Sequence, residues 1–337
     1  MSAPSSQPSP EVIFNAMNAY QRSMTLKGAI DLELFTHIAD GATTAAELAK
    51  RSSASERGVR ILCDYLTIQG FLTKSGQNYG LSPDAAVFLN KKSPAYMGSM
   101  AGFLVHEVNL AKYRDIAAVV RHGGSLPSPE GHMDPDNPIW VEFARSMAPM
   151  AAMGGRNLAP LVTKPGTPVK VLDIAAGHGL YGISVALFNP AAQIVGVDWK
   201  NVLAVALENA AKAGVSDRYQ TIPGSAFDVD FDSGYDLVLL PNFLHHFSVA
   251  TNTALLKKIR AALKPGGQVA TLEFVPNDDR ITPPMPAAFS MIMLATTDHG
   301  DAFTFRELDQ MFRDAGFSES TLQDMPQSPQ RLILSKV

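Results

Sequence analysis

The stretch VKVLDIAAGHGLYG, Val169–Gly182, decides the fold of this chain. Its apolar run, Val169–Ile174, predicts a buried parallel strand that carries one acidic residue, Asp173, near its carboxyl end. A turn of small residues follows at 175–179, and Leu180–Phe188 has the pattern of a helix. A strand, a glycine-rich turn and a helix bring the backbone within contact distance of a nucleotide-like ligand. The stretch therefore predicts a nucleotide-type site.

Two patterns fit the turn. Gly177–Gly182 spells G-x-G-x-x-G, the fingerprint of NAD-dependent oxidoreductases, which is a weak signal by itself. Asp173 lies four residues before the first glycine, and this spacing resembles the D-x-G-x-G-x-G motif of class I S-adenosylmethionine-dependent methyltransferases. Ala175 and Ala176 take two of that motif's small positions. Methyl transfer is the favoured interpretation, with the oxidoreductase as its competitor.

Composition limits the class of protein. A length of 337 residues suits two domains, and 46% hydrophobic against 18% charged residues indicates sizeable cores. A net charge of −4 gives no reason to expect binding to nucleic acid or to an anionic membrane. The single cysteine, Cys63, is expected to be a small buried residue. The Ser- and Pro-rich start has no signal-peptide pattern and no apolar run could span a bilayer, so we expect a cytoplasmic protein.

The first part of the chain has a helical pattern followed by a hairpin. Thr44 with Glu47 forms a predicted capping box, and Ser55 is expected to begin the next helix. The turn-rich residues 74–79 between apolar flanks predict a β-hairpin, which completes a winged-helix module. On its second helix (56–68) two positive side chains, Arg57 and Arg60, are offset by two negative ones, Glu56 and Asp64. This is a poor surface for DNA, because phosphate contacts need clustered Lys and Arg. Dimerisation is favoured over a DNA-binding regulator.

From Val169 onward, predicted strands alternate with predicted helices, which indicates a doubly wound α/β sheet. The strands are expected at Val169–Ile174, Gln193–Val197, Tyr219–Ile222, Tyr235–Leu240 and Gln268–Phe274, with a terminal hairpin of Ser320–Gln323 and Arg331–Ser335. The helices between and after them are expected at Leu180–Phe188, Asn201–Ala213, Asn252–Leu263 and Thr304–Ala315. Ligands of such sheets bind at the carboxyl ends of the strands.

Asp198 ends the second predicted strand of this sheet. A carboxylate there can accept hydrogen bonds from both hydroxyls of a ribose. The alternative is that Asp198 caps the helix that follows. Trp199 can lie against an adenine ring. The other side of the adenine is expected at Ser225, Ala226 and Phe227, after the third strand.

Two adjacent histidines, His245 and His246, follow the fourth strand, and Glu273 ends the fifth. A carboxylate on the neighbouring strand could orient an imidazole that acts as a base. Spacing alone allows either histidine to be that base. The structural alternative is a pair of surface histidines that cap the next helix.

Several motifs together resemble the large family of S-adenosylmethionine-dependent O-methyltransferases that includes plant phenolic and bacterial natural-product enzymes. They are LDIAAGHG at 172–179, GVDW at 196–199, YDLVLLPNFLHHF at 235–247, LKPGG at 263–267 and LEFVP at 272–276. The resemblance implies a Rossmann-like class I methyltransferase domain, S-adenosylmethionine as cofactor, and a winged-helix dimerisation domain that makes a homodimer. The Ser- and Pro-rich composition of residues 1–10 predicts a disordered tail. After it we expect the winged-helix domain at 11–92, a helical connector at 93–165 and the methyltransferase domain at 166–337, an order that fits the same family.

The resemblance also assigns roles. His245 maps to the general base and Glu273 to the acid that orients it, and His246 falls where many members have Asp. The cofactor-binding residues are expected to be Asp173, Ala175, Gly177, Gly179, Asp198, Trp199, Ser225, Ala226, Phe227 and Asn242. Ser225 stands where the family usually has an acid. A second acid beside the base falls near Ala302, next to Asp301. Some members methylate carbon, so that chemistry stays open.

Apolar, flat side chains are expected to line the acceptor pocket, which suits a phenolic or other aromatic molecule. The candidates are Trp140, Phe143, Met147, Phe289 and Met293, with Asn242. The sequence shows no cluster of metal ligands, so we expect no metal.

Overall fold

The structure is a computed structural model that describes residues 8–127 and 139–337. Predictions that fall on residues 1–7 and 128–138, including most of the expected N-terminal tail, lie outside the described residues. The chain divides into two compact units, one ending at His106 and one spanning Glu107–Val337.

The first unit is helical with one hairpin. Its helices are α1 (Glu11–Met17), α2 (Ala19–Asp31), α3 (Leu34–Ala39), α4 (Ala45–Arg51), α5 (Glu56–Ile68), α6 (Pro83–Phe88) and α7 (Ala101–Leu104). Its strands are β1 (Leu72–Ser75) and β2 (Asn78–Leu81), which pair antiparallel.

The predicted caps of this unit are confirmed. Thr44 and Glu47 form a capping box at the start of α4, and the Ser55 hydroxyl accepts from the Gly58 amide at the start of α5. Cys63 is buried, and burial raises the pKa of its thiol to about 12. The thiol is therefore protonated and packs as an apolar side chain, as predicted.

The second unit is built on a seven-stranded sheet. Its strands are β3 (Val169–Ile174), β4 (Ala192–Asp198), β5 (Tyr219–Pro223), β6 (Tyr235–Pro241), β7 (Leu263–Glu273), β8 (Glu319–Asp324) and β9 (Arg331–Lys336). Its helices are α8 (Glu107–Ala111), α9 (Ile116–His122), α10 (Ile139–Val162), α11 (Leu180–Phe188), α12 (Lys200–Lys212), α13 (Val249–Ala262), α14 (Pro284–Thr296) and α15 (Phe305–Asp314).

The strand order is β5-β4-β3-β6-β7-β9-β8. The first five strands in this order are parallel to one another. At one edge of the sheet β9 pairs antiparallel with both β7 and β8. The chain runs outward from β3 in one direction and from β6 in the other. The carboxyl ends of β3 and β6 therefore flank the topological switch point, where doubly wound sheets bind their ligands.

Alternate side chains of the central strands enter two separate cores. Leu172 and Ile174 of β3 pack with α13 and α15 on one face, whereas Val171 packs with α10, α11 and α12 on the other. Helices therefore cover both faces, which explains why the strand sequences are almost continuously apolar. The doubly wound prediction is confirmed.

The main difference from the predicted elements concerns the region around 263–267. The sequence predicted a turn there and a strand from Gln268, but β7 already begins at Leu263, opposite Tyr235. A register shift between Tyr235 and Leu237 accommodates the extra residues. Likewise α13 begins at Val249 and not at Asn252, because Ser248 accepts from the Thr251 amide and caps it.

Candidate active site

The glycine-rich turn lies between β3 and α11 in a left-handed backbone conformation. Ala175, Gly177 and Gly179 have φ of 52°, 57° and 73°. A Cβ at Gly179 would collide with the Tyr219 hydroxyl, so this position requires glycine for packing. A Cβ at Gly177 would meet little beside the carbonyl of Ala175, at 3.8 Å. The backbone at Gly177 thus borders open space that a ligand could use.

Asp173 supports this turn from within the fold. The side chain is fully buried, and one carboxyl oxygen accepts from the Gly182 amide at 3.0 Å. Burial raises the pKa of Asp173 well above its usual range. The sequence predicted a cofactor contact for Asp173, whereas its contact in the structure is with the first turn of α11.

Asp198 ties the end of β4 to the glycine turn. Its Oδ2 accepts from the Gly177 amide at 2.8 Å and its Oδ1 from the Trp199 amide at 2.7 Å. The alternative role as a helix cap is wrong, because Trp199 is the N-cap residue of α12. Burial raises the pKa of the Asp198 carboxyl to about 6. Each oxygen keeps a lone pair that could accept from a ligand hydroxyl.

The other residues expected around an adenine lie at the ends of β4 and β5. Trp199 lies beside Asp198, and its ring centroid is 5.5 Å from that of Trp140 on α10. The Ser225 hydroxyl accepts from the amide of Phe227 at 3.2 Å. Ala226 is buried, and the Phe227 ring lies edge-on to Phe247, 4.9 Å between centroids. Trp140, predicted to line the acceptor pocket, thus lies on the Asp198 side.

His245 and Glu273 form a buried pair across two neighbouring strands. His245 Nδ1 lies 2.6 Å from Glu273 Oε2, and both side chains are almost fully buried. The other carboxyl oxygen, Oε1, accepts from the amides of Phe243 at 3.0 Å and His245 at 3.4 Å. Glu273 is thus placed to accept a hydrogen bond from Nδ1–H. In that tautomer of the imidazole the lone pair is on Nε2.

A turn after α14 supports the backbone of the histidine, through Gly300, which the sequence did not single out, and Asp301. The Asp301 amide donates to the His245 carbonyl at 3.0 Å, and a Cβ on Gly300 would collide with that same carbonyl. The Asp301 carboxylate is engaged by Arg280, at 3.0 Å. Asp301 therefore positions His245 through its backbone, and Glu273 is the carboxylate that contacts the imidazole.

His246 and Phe289 pack around the His245 ring. The two imidazole centroids are 4.3 Å apart, and Phe289 lies edge-on at 4.9 Å while stacking on Phe274 at 4.1 Å. Burial lowers the pKa of His246 well below its usual value, and the nearby His245 and Lys112 lower it further. His246 is therefore neutral at pH 7. Neither histidine caps α13, whose cap is Ser248.

Asn242 follows β6 with a left-handed φ of 56°. Its amide side chain donates to the Tyr181 hydroxyl at 3.4 Å and accepts from Gln330, which precedes β9. These partners hold the chain between β6 and His245. Of the remaining predicted pocket residues, Met147 and Met293 are buried and Phe143 lies edge-on to Trp140.

The residues at the strand ends fit an adenosyl cofactor. A carboxylate stands at the end of β4, open space borders the glycine turn, and a histidine pair lies at the ends of β6 and β7. Within residues 8–127 and 139–337, His, Cys, Asp and Glu side chains form no group that could hold a metal ion. In the same ranges, no helix is both long and apolar enough to cross a bilayer.

The fold and this site define a class I methyltransferase. The chain belongs to the O-methyltransferase family: residues 135–318 match its O-methyltransferase domain, and residues 14–91 match the O-methyltransferase dimerisation domain. The family uses S-adenosylmethionine, so this chain is an S-adenosylmethionine-dependent methyltransferase.

Individual relatives agree with this family. A Nostoc punctiforme protein of known structure, described as a candidate O-methyltransferase, is 50% identical with a TM-score of 0.94, covering 98% of this chain and 100% of its own. The 3-hydroxy-5-methyl-1-naphthoate 3-O-methyltransferase of Streptomyces sahachiroi is 29% identical over 92% of this chain and 90% of its own length. Human N-acetylserotonin methyltransferase, solved with S-adenosylmethionine, shares the fold at 20% identity, with a TM-score of 0.86 over 99% of each chain.

Proposed function

We propose that the enzyme transfers the methyl group of S-adenosylmethionine to a hydroxyl of a small aromatic molecule, with His245 as the general base. The observation that carries this proposal is the 2.6 Å contact between His245 and Glu273, at the carboxyl ends of β6 and β7. These ends lie beside the switch point, next to the glycine turn of β3.

The protein has two tasks in this reaction. S-adenosylmethionine supplies a methyl group that is already activated on a sulfonium. The chain must hold the acceptor oxygen in line with that methyl group, and such positioning supplies much of the rate. It must also remove the hydroxyl proton, because a phenol with a pKa of about 10 is mostly protonated at neutral pH.

His245 is placed to remove the hydroxyl proton. Glu273 holds the Nδ1 proton, so Nε2 is available to take the proton from the acceptor hydroxyl as its oxygen forms the new bond to carbon. The Glu273 carboxylate beside it stabilises the resulting imidazolium. The Asp301 amide and the close-packed Gly300 fix the backbone from which the ring projects.

The surroundings favour an aromatic acceptor. Phe289 and Phe274 present stacked rings next to His245. Flat apolar walls of this kind suit planar molecules. The naphthoate relative acts on a hydroxyl of an aromatic ring system, which agrees with this substrate class.

Methyl transfer from radiolabelled S-adenosylmethionine to a panel of phenols and hydroxynaphthoic acids tests the proposal. We expect label in at least one product, released by reagents that cleave aryl methyl ethers. Label that resists ether cleavage would indicate carbon methylation and would contradict the hydroxyl as acceptor. Calorimetric titration should show binding of S-adenosylhomocysteine. Heat with NAD alone would contradict the proposal and favour the NAD-dependent oxidoreductase interpretation.

We further propose that the N-terminal helices form the interface of a homodimer. No residue of α1 is buried, and its apolar side chains are largely exposed: Val12, Ile13, Phe14 and Met17, followed by Tyr20 on α2. An apolar surface of this kind marks an association site. The match of residues 14–91 to a dimerisation domain supports a second copy of this chain as its occupant.

Replacing Phe14 and Met17 together by Glu should shift the protein from dimer to monomer in sedimentation or light scattering. Burial of each apolar side chain contributes about 1.5–3 kcal/mol to the free energy of association. Each substituted residue occurs twice in a two-fold interface, so its effect is doubled. Lys50→Glu, an exposed change on α4, is the matched control and should leave the dimer intact. A dimer that survives the double substitution would exclude α1 from the interface.

A further inference from the structure

His245 projects from a single turn of 3₁₀ helix, Leu244–His246, which we call the histidine turn. A helix this short satisfies few of its own backbone groups, so the turn depends on partners from other parts of the fold. Glu273 accepts from amides of this segment, and the Asp301 amide donates to the His245 carbonyl. The carbonyls on either side of the two histidines have a further partner on α13.

That partner is Asn252, in the first turn of α13. Its Nδ2 donates to the Leu244 carbonyl at 2.8 Å and to the Phe247 carbonyl at 3.4 Å. Side chains of a helix point back toward its N-terminus, which directs this amide at the residues that precede α13. One side chain therefore holds the backbone both before His245 and after His246.

The oxygen of the same amide group has no comparable use. Asn252 is fully buried, and among the described residues no group donates to its Oδ1. An unpaired buried oxygen is destabilising, and an apolar side chain of similar size would avoid it. The amide cannot be reversed, because Oδ1 would then face two carbonyl oxygens. The value of Asn252 thus lies in its Nδ2 donor, at the histidine turn.

We propose that Asn252 is a positioning residue for methyl transfer, which holds the histidine turn so that the His245 imidazole faces the acceptor hydroxyl. The inference rests on the proposed function, since it requires His245 as the general base. The contacts of Asn252 are with backbone carbonyls and not with the imidazole. The effect is expected on kcat and not on cofactor binding, because the rate depends steeply on the placement of the reacting groups.

Asn252→Asp tests the donor at almost constant side-chain shape. A protonated carboxyl can still donate one hydrogen bond to the Leu244 carbonyl, whereas a carboxylate only accepts and would repel it. Burial favours the protonated form, so the loss should appear as the pH rises. We expect kcat relative to the parent to fall between about pH 6 and about pH 9, to a loss of about 10–10²-fold. Asn252→Leu has no donor at any pH, and its loss should not vary with pH.

Asn189→Asp is the matched control. Asn189 is also fully buried and donates to a backbone carbonyl, that of Thr167 at 2.8 Å, but it follows α11 at the opposite edge of the sheet. Its kcat should stay within about twofold of the parent over the same pH range. All rates are expressed per mole of enzyme that binds S-adenosylhomocysteine, so misfolded protein does not count. The dissociation constant of S-adenosylhomocysteine should change less than about twofold in both Asn252 variants.

A double-mutant cycle separates the positioning of His245 from any other role of Asn252. In the His245→Ala enzyme, adding Asn252→Asp should lower kcat by less than about twofold more, and Asn252→Leu gives an independent second cycle. An undiminished loss in that background would overturn the inference and leave the proposed function intact. Parental kcat in both Asn252 variants, or loss of S-adenosylhomocysteine binding by both, would do the same. If His245→Ala itself turns over at the parental rate, the proposed function and the inference fall together.

Discussion

His245→Ala is expected to lower kcat by about 10²–10⁴-fold, the usual contribution of a general base. The acceptor hydroxyl would then lose its proton only to solvent, while the glycine turn and Asp198 would stay unchanged. The dissociation constant of S-adenosylhomocysteine should therefore remain within about twofold of the parent value. Rapid-quench measurement of single turnovers with labelled cofactor, together with calorimetry, separates the two quantities.

His246→Ala is the matched control for this prediction. It removes a neighbouring imidazole of the same size, whose centroid is 4.3 Å from that of His245. Among the described residues the His246 imidazole has no carboxylate partner, whereas His245 is paired with Glu273. We expect a smaller loss of kcat, less than about tenfold. A His245→Ala enzyme that turns over within a factor of three of the parent would remove His245 from the mechanism.

In contrast to His245→Ala, Asp198→Ala should weaken the binding of S-adenosylhomocysteine by more than about tenfold, the value of a charge-assisted hydrogen bond. The substitution removes the carboxylate that both ribose hydroxyls could share. It also removes the acceptor for the Gly177 amide, so the glycine turn loses a support. Asp217→Ala, which removes an exposed carboxylate near β5, should leave the affinity unchanged.

The Asp198 carboxylate should make the binding of S-adenosylhomocysteine depend on pH. The pKa of Asp198 is raised to about 6 by burial, and hydroxyl donors from a ligand favour its ionised form. Affinity should thus be constant above pH 6 and fall by up to about tenfold per pH unit below it. Asp198→Asn should weaken binding and flatten this profile. A parent profile that is flat from pH 5 to 8 would show that Asp198 does not contact the ligand.

The sequence predicted the elements whose signals are local. The bounds of β3 and α11 agree with prediction, because an apolar run and a glycine turn define them without help from the rest of the chain. The closeness of Glu273 to His245 followed from one topological rule, that neighbouring parallel strands end at the same edge.

Contacts between distant segments could not be predicted from local signals. The turn at Gly300 and Asp301 supports His245 only because α14 returns the chain to that backbone. Gln330 reaches Asn242 across 88 residues of sequence, through the β8–β9 hairpin. The contact of Trp140 with Trp199 joins α10 to the end of β4, and no local pattern predicts it.

A crystal structure of the enzyme with S-adenosylhomocysteine tests the central claim most directly. We expect the ribose hydroxyls within hydrogen-bond distance of the Asp198 carboxylate, and the sulfur on the side of the crevice that His245 faces. A ligand bound elsewhere, or a sulfur separated from the His245 imidazole by the sheet, would contradict the account.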